Sequence, residues 1–362
     1  MPDPSKSILL GLLTASLHAA SPEEILTTQL TEPDADRWMY SFNGTPGTRS
    51  TASTFSALPQ PQQQTAADDR FGQFLIRFNT AAAGIPSGLG PSNYKIHHIT
   101  LTAVIAQNGG TSYDPTPDPL SSFGPTPTPD PDPGRPIELH GTGFRNSFTP
   151  SSFQETSLHG FGPPGSRNAF ALGFDLLGNP RDVSNNITQN FDPIPWATAT
   201  FHSLTPGDPV PDYAIATFHI NTSLPGVANY LAESLDRGFL WLTVSSLHSA
   251  TQMGSEGFPA FFTRDHPEQA VFSDVAPRLN LSWSIPLTIH HFSRNPSENT
   301  ARLDWNASPG FIYQIQSTTD LTNPTWTTHP PLTTPQPAIL SWQGPAPEPR
   351  SFFRVTRTPT PR

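Results

Sequence analysis

The stretch YKIHHITLTAVIA, Tyr94–Ala106, decides the fold. Ile99, Leu101, Ala103 and Ile105 fall on one face and His98, Thr100 and Thr102 on the other, the two-residue period of a half-buried strand. Just upstream, DDRFGQFLIRFN (Asp68–Asn79) carries another strand at Gln73–Asn79. Far downstream, Arg278–Ser284 alternates as cleanly, with Leu279, Leu281 and Trp283 in and Asn280, Ser282 and Ser284 out. Two strand-rich segments therefore bracket one domain, whose first and last strands are expected side by side. Between them, short strands are read at Ile137–His140, Ala169–Phe174, Trp196–Phe201, Tyr213–Asn221 and Gly238–Ser245. The last of these turns Leu240, Leu242 and Val244 to the core. One helix interrupts the pattern at Pro225–Arg237: Val227, Tyr230, Leu231 and Leu235 share a face, and Gly238 suits a left-handed C-terminal cap.

Composition points the same way. The 362 residues include 44 prolines, with 35% hydrophobic and 13% charged residues. Proline at this density breaks helices and central strands alike, so it favours many short strands on long loops. The 24 Phe and 7 Trp supply a core that a disordered chain lacks. With 19 Lys+Arg against 29 Asp+Glu, a net charge of −10 and no clustered basic run, the electrostatic footprint of a nucleic-acid binder is missing. The same balance argues against an anionic membrane surface as partner. Cysteine is absent, which removes a disulfide framework and any thiolate metal site.

Residues 1–20 have the layout of a secretory signal: Lys6, an apolar run Ser7–Leu17, then Ala19 and Ala20. The run is too short to span a bilayer; the alternative is a short N-terminal helix. Residues 21–29 read as a linker and 30–284 as the sandwich. Inside it, Tyr113–Pro136 holds nine prolines and four aspartates. Repeated X-Pro makes that segment extended, and a solvated insertion is expected, with a functional loop as the alternative. A boundary falls at Ile285–Pro286. Residues 286–362 form a small β module with strands at Ala301–Asn306, Phe311–Ser317, Ile339–Trp342 and Phe352–Thr356. Pro309-Gly310 is read as a hairpin turn between the first two.

The bracketing segments resemble the disaggregatase-related (DNRLRE-type) carbohydrate-binding modules of secreted proteins. The likeness rests on Arg70, Phe74, Leu75, Phe78 and Asn79, on Ile96–Val104, Phe218–Thr222 and Gly238–Ser245, and on Phe261–Asp265 with Pro277–Leu281. It covers both ends of residues 30–284, while Ser112–Trp196 is enlarged and Asp265 stands where the family carries Glu. The stretch Trp305–Trp326, WNASPGFIYQIQSTTDLTNPTW, is similar to small fibronectin-like end modules of secreted Verrucomicrobia and planctomycete proteins. Together these resemblances imply an all-β fold, a jelly-roll-like β-sandwich with one short helix followed by a small fibronectin-like domain. They imply an exported, non-catalytic carbohydrate-binding or adhesion protein, secreted or envelope-associated and not membrane-inserted, whose partner is a polysaccharide or cell-surface glycan. A polysaccharide hydrolase or lyase on the same sandwich, or a structural envelope protein, are the alternatives.

Sugar-binding surfaces stack aromatic rings on pyranose faces. Rings outside the clear core alternation are Trp38, Tyr40, Tyr113, Trp196 and Trp241; for Trp241 the competing expectation is packing under the proline-rich loop. Jelly-roll modules often hold a structural Ca2+ near the first strand, which needs hard oxygen ligands. Glu32, Asp34 and Asp36 form such a cluster, joined by Asp265 or Asp274 from the closing segment; the alternative is ordinary solvated charge. Asp130, Asp132 and Gly134 mimic part of a calcium loop but lack its closing Glu, and are set aside. Neighbouring His97-His98 and His290-His291 point to opposite strand faces and cannot chelate together. No nucleophile elbow, phosphate loop or zinc-protease helix is present, and Glu138, Glu155, Glu233 and Glu256 lie scattered.

Overall fold

The alternating segments pair into antiparallel sheets. The computed structural model describes residues 25–360 apart from 44, 46, 57–69, 124–127, 129, 161–163, 251–256, 273, 308–309, 336–337, 347 and 349. The signal-like segment 1–20 and the Gln-rich stretch before Arg70 lie outside the described residues. In chain order the first unit contains β1 (Leu26–Leu30), β2 (Ala35–Met39), β3 (Thr51–Ser53), β4 (Gln73–Phe78), β5 (Lys95–Gln107), β6 (Ile137–Phe144) and β7 (Ala169–Phe174). There follow β8 (Pro180–Asp182), β9 (Ala197–Thr198), β10 (Thr200–Phe201), β11 (Ile215–His219), β12 (Leu240–Ser246), β13 (Ala260–Phe262) and β14 (Arg278–Ser284). Helix α1 (Val227–Arg237) precedes β12, and α2 (Pro267–Phe272) precedes β14. With 41% strand against 9% helix, the class is all-β.

One sheet runs β1-β14-β5-β11-β10, with β13 joining β5 to β3; the other runs β2-β4-β12-β6-β7-β8, with β9 on β6. Most neighbours are distant in sequence, so the chain crosses repeatedly between sheets. The closing strand β14 lies between β5 and β1, with Leu281 opposite both Ile99 and Thr28. Of the bracketing strands, β5 and β14 lie side by side, whereas β4 (Gln73–Phe78) belongs to the other sheet, between β2 and β12. Residues 26–30 are accordingly an edge strand and not part of a linker. The signal is weak because LTTQL offers the core only Leu30, buried, and Leu26, half-buried, at its two ends.

The core lies between the sheets. Leu101, Ala103 and Ile105 of β5, Phe74, Ile76 and Phe78 of β4, and Leu240, Leu242 and Val244 of β12 are fully buried, joined by Leu279 of β14. Each such side chain contributes about 1.5–3 kcal/mol, so Leu242→Ala would cost roughly 2–5 kcal/mol. Helix α1 lays Val227, Leu231 and Leu235 on this core and stops at Gly238 (φ 88°), the left-handed cap that the sequence signals. Its Tyr230 is half-buried, the hydroxyl donating to Trp241 O at 2.8 Å and accepting from Thr142 N at 3.1 Å.

Strand β12 is buried on both faces. Its Trp241 enters a second cluster with Met39, Leu75 and Phe153, outside the second sheet. The cover is the segment Phe144–Phe153, not the proline-rich loop: Phe144 and Phe153 meet the indole edge-on, and Nε1 donates to Pro150 O at 2.9 Å.

The C-terminal unit adds β15 (Ile289–Asn295), β16 (Thr300–Ala307), β17 (Phe311–Thr318), β18 (Thr327–Thr328), β19 (Ala338–Pro345) and β20 (Phe352–Pro359). They form two three-stranded sheets, β15-β16-β19 and β18-β17-β20. Strands β16 and β17 thus belong to different sheets and do not pair as a hairpin; Pro309 itself lies outside the described residues. Trp305, Tyr313 and Ile315 fill the space between. Among the described residues no helix is long and apolar enough to cross a membrane.

Candidate functional site

Strand β2 is an edge strand, paired only with β4 (Trp38 opposite Phe74). Its side chains alternate. Ala35 and Met39 join the outer cluster, and the Arg37 guanidinium lies over the Phe153 ring at 5.6 Å. Asp36, Trp38 and Tyr40 take the other face. Two features of chemical interest therefore run consecutively along one face.

The first is a ring cluster. Trp38 and Tyr40 are half-buried and stack with centroids 4.6 Å apart and planes 22° apart. Tyr40 meets Phe71, Phe42 and Phe55 edge-on at 5.0, 5.5 and 5.6 Å, and Phe55 meets Phe258 at 4.7 Å. Phe42 is 72% exposed while Phe55 is buried, so the cluster rises from the core to solvent. Trp38 is held by Nε1 donating to Ser53 O at 2.8 Å. A β-carbon at Gly72 would lie 2.5 Å from the Phe55 ring, so glycine is what admits that ring. The Arg167 guanidinium sits 5.4 Å from the Phe71 ring centre.

The second is a carboxylate trio. Asp36, Glu155 and Asp265 each offer an oxygen within 4.8 Å of the others. Asp36 is 1% exposed, and its Oδ1 is buried without a hydrogen-bond partner. Its Oδ2 accepts from the Arg264 N–H at 2.8 Å, and its own N–H donates to Glu155 Oε1 at 2.9 Å. Arg264 also reaches Glu155 Oε2 at 2.7 Å and Asp34 O at 2.6 Å. Burial pushes the Asp36 carboxyl up to about 8; the Arg264 N–H opposes this, and Glu155 adds to it. Burial likewise raises Glu155 and lowers Arg37 to about 10. Gly47 (φ 78°) presses on Glu155, a β-carbon there meeting its Cγ at 2.8 Å.

A hard cation fits this donor set: three carboxylates, no nitrogen or sulfur, and one buried oxygen without a partner. The sequence cluster is only partly brought together. Glu32 is exposed, and Asp34 is tied to Arg77 at 2.8 Å. The third carboxylate of the trio is Glu155, 119 residues from Asp36, from a segment with no periodic signal. Of the aromatic candidates, Trp38 and Tyr40 belong to the ring cluster. Tyr113, Trp196 and Trp241 are 7%, 1% and 1% exposed and offer no free face: Tyr113 packs edge-on with Phe201 and Trp196 stacks with Phe174.

Arg70, Glu138 and His140 form a third polar group. Arg70 Nη2 lies 2.6 Å from Glu138 Oε2, and its Nη1 donates to Val183 O at 2.9 Å and to Asn186 Oδ1. Burial pushes Glu138 up, but Arg70 and His140 outweigh it and hold the carboxyl at about 2. The three side chains are at most 4% exposed; the group is an internal strut beyond the reach of a polymer.

The chain matches no protein-family model and no curated protein.

Proposed function

We propose that this chain is an exported, non-catalytic carbohydrate-binding or adhesion protein. A polysaccharide or cell-surface glycan stacks on Tyr40 and Phe42, with Trp38 behind them, beside a structural Ca2+ held by Asp36, Glu155 and Asp265. The observation that carries the reading is the ring ladder that reaches solvent at Phe42 and continues the face that bears the carboxylate trio. Apolar ring faces next to fixed polar groups are what pyranose recognition needs. Export rests on the signal-like residues 1–20, and the module type on the sequence resemblance.

The test is affinity electrophoresis of the full chain through gels loaded with a panel of polysaccharides. Retardation by at least one is expected, with Tyr40→Ala weakening it about fivefold, roughly 1 kcal/mol for a stacked ring. Loss of retardation in EDTA would place the cation in the binding surface; retention would confine it to a structural role. Free migration through every polysaccharide sinks the reading.

A further inference from the structure

We propose that His98 and His219 form a surface chelate for one borderline divalent ion of the Cu2+, Ni2+ or Zn2+ class, separate from the carboxylate trio. In sequence, His98 and its neighbour His97 point to opposite strand faces and cannot share an ion. The fold gives His98 a different partner, on the neighbouring strand β11.

Strand β11 runs antiparallel to β5 with His219 opposite Thr100, so His98 stands one diagonal step away on the same face. Diagonal cross-strand neighbours are within reach of ring side chains. The two imidazole centres are 5.8 Å apart and their planes 40° apart. Their nitrogens converge on one atom: Thr100 Oγ1 lies 2.8 Å from His98 Nε2 and 3.3 Å from His219 Nδ1. Both histidines are exposed, while Thr100 is buried. A metal–imidazole bond is about 2.0–2.1 Å, so two imidazoles on one tetrahedral ion have ring centres about 5 Å apart. A small rotation of two exposed side chains closes the difference. The backbone need not move. Strands β5 and β11 are each paired on both sides, so the ligands sit on a frame fixed before an ion arrives.

The donor set selects the ion. Imidazole nitrogens suit Cu2+, Ni2+ and Zn2+, whereas Ca2+ and Mg2+ take oxygen. On the other flank of β5, Ser282 and Asn280 of β14 stand opposite His98 and Thr100. These are neutral groups, which leave the remaining coordination positions to water. Without an ion, one hydroxyl serves both rings, and its single proton goes to only one nitrogen. An ion engages both lone pairs at once, with both nitrogens unprotonated.

The test uses the full chain stripped with EDTA, dialysed, and titrated with CuCl2 or NiCl2 in a calorimeter, with CaCl2 present to fill any hard-cation site. One equivalent is expected, tighter for Cu2+ than for Ni2+. His98→Gln and His219→Gln should each weaken it by more than about tenfold, the least that even an outer-shell change brings. The double variant should lose no more than either single one, because one loss already breaks a chelate. His97→Gln, on the opposite face beside Ser284, should keep the equivalent. In the unaltered chain, paramagnetic Cu2+ should broaden the ring resonances of His98 and His219 first among the 12 histidines. Uptake that either ligand substitution leaves unchanged overturns the proposal, and so does no uptake at all. Broadening confined to other histidines overturns it too, and decides the matter if a variant does not fold.

Discussion

The interior strut and the proline-rich loop hold the same kind of charge in opposite states of balance. Glu138 is met by Arg70, which two further acceptors satisfy, and its carboxyl is held at about 2 although burial pushes it up. Asp118 is also met by an arginine, yet burial prevails and, with Asp114 and Asp130 beside it, pushes it up to about 7. The trio at the sheet edge lies between: Arg264 compensates Glu155, but Asp36 Oδ1 has no partner. Where the fold supplies one cation per anion, the charge serves architecture. Where it does not, burial pushes the carboxyl upward, as at Asp118 and Asp36.

The most severe way to break the balanced side is Arg70→Met. It strands Glu138 in the core and should cost about 3–5 kcal/mol, read as a lower urea midpoint that Ca2+ does not restore. At the edge, Arg264→Gln removes a partly exposed partner of Glu155 (side chains 26% and 16% exposed). It should cost roughly 2 kcal/mol, and Ca2+ should recover part of it. If Ca2+ recovers as much in Arg70→Met as in Arg264→Gln, the distinction drawn between the two regions collapses.

Acid titration sharpens the same contrast, because the interior refuses unpaired charge. His248 is fully buried, and burial followed by the charge of Arg135 pushes it down to about 3, against the pull of Glu138. Burial lowers His140 and His159 too. Below pH ~6.5 the unfolded chain gains a proton that the folded His248 rejects. Stability therefore falls as pH falls from ~6.5 towards ~3, by about 1.4 kcal/mol per pH unit for His248. His248→Leu should flatten the slope of urea midpoint against pH by one proton's worth; an unchanged slope would show that this site is hydrated.

Much of the fold was legible because a two-residue period survives in strands with one wet face or a strong apolar run. Arg278–Ser284 and Ala169–Phe174 match their sequence boundaries, and Gly238 ends α1 as its φ requires. Legibility failed where an element depends on a distant partner. Leu26–Leu30 shows little pattern and is a strand only because β14 accepts it. The sequence leaves Trp241 either a stacking ring or packed under the proline-rich loop, because the Phe144–Phe153 cover cannot be inferred from β12. The candidate site failed in the same way: Glu155 reaches Asp36 across 119 residues. Sequence spacing finds ligands on one turn or one strand, and loops that fold back on themselves escape it.

The gentlest substitution concerns a ring that serves no core. Phe42 is 72% exposed and touches only Tyr40 and Phe71 among the described rings. Removing it exposes little new apolar surface, and exposed positions usually shift stability by no more than about 0.5 kcal/mol. Phe42→Ala should therefore leave the urea midpoint unchanged, in contrast to every charge substitution above. If the ring face binds sugar, the same variant weakens polysaccharide retardation, because a stacking surface is lost without loss of fold. Unchanged stability with unchanged retardation would move the binding surface away from β2. A large loss of stability would show that Phe42 is covered in the folded protein, and that the ladder ends inside a core and not at a ligand.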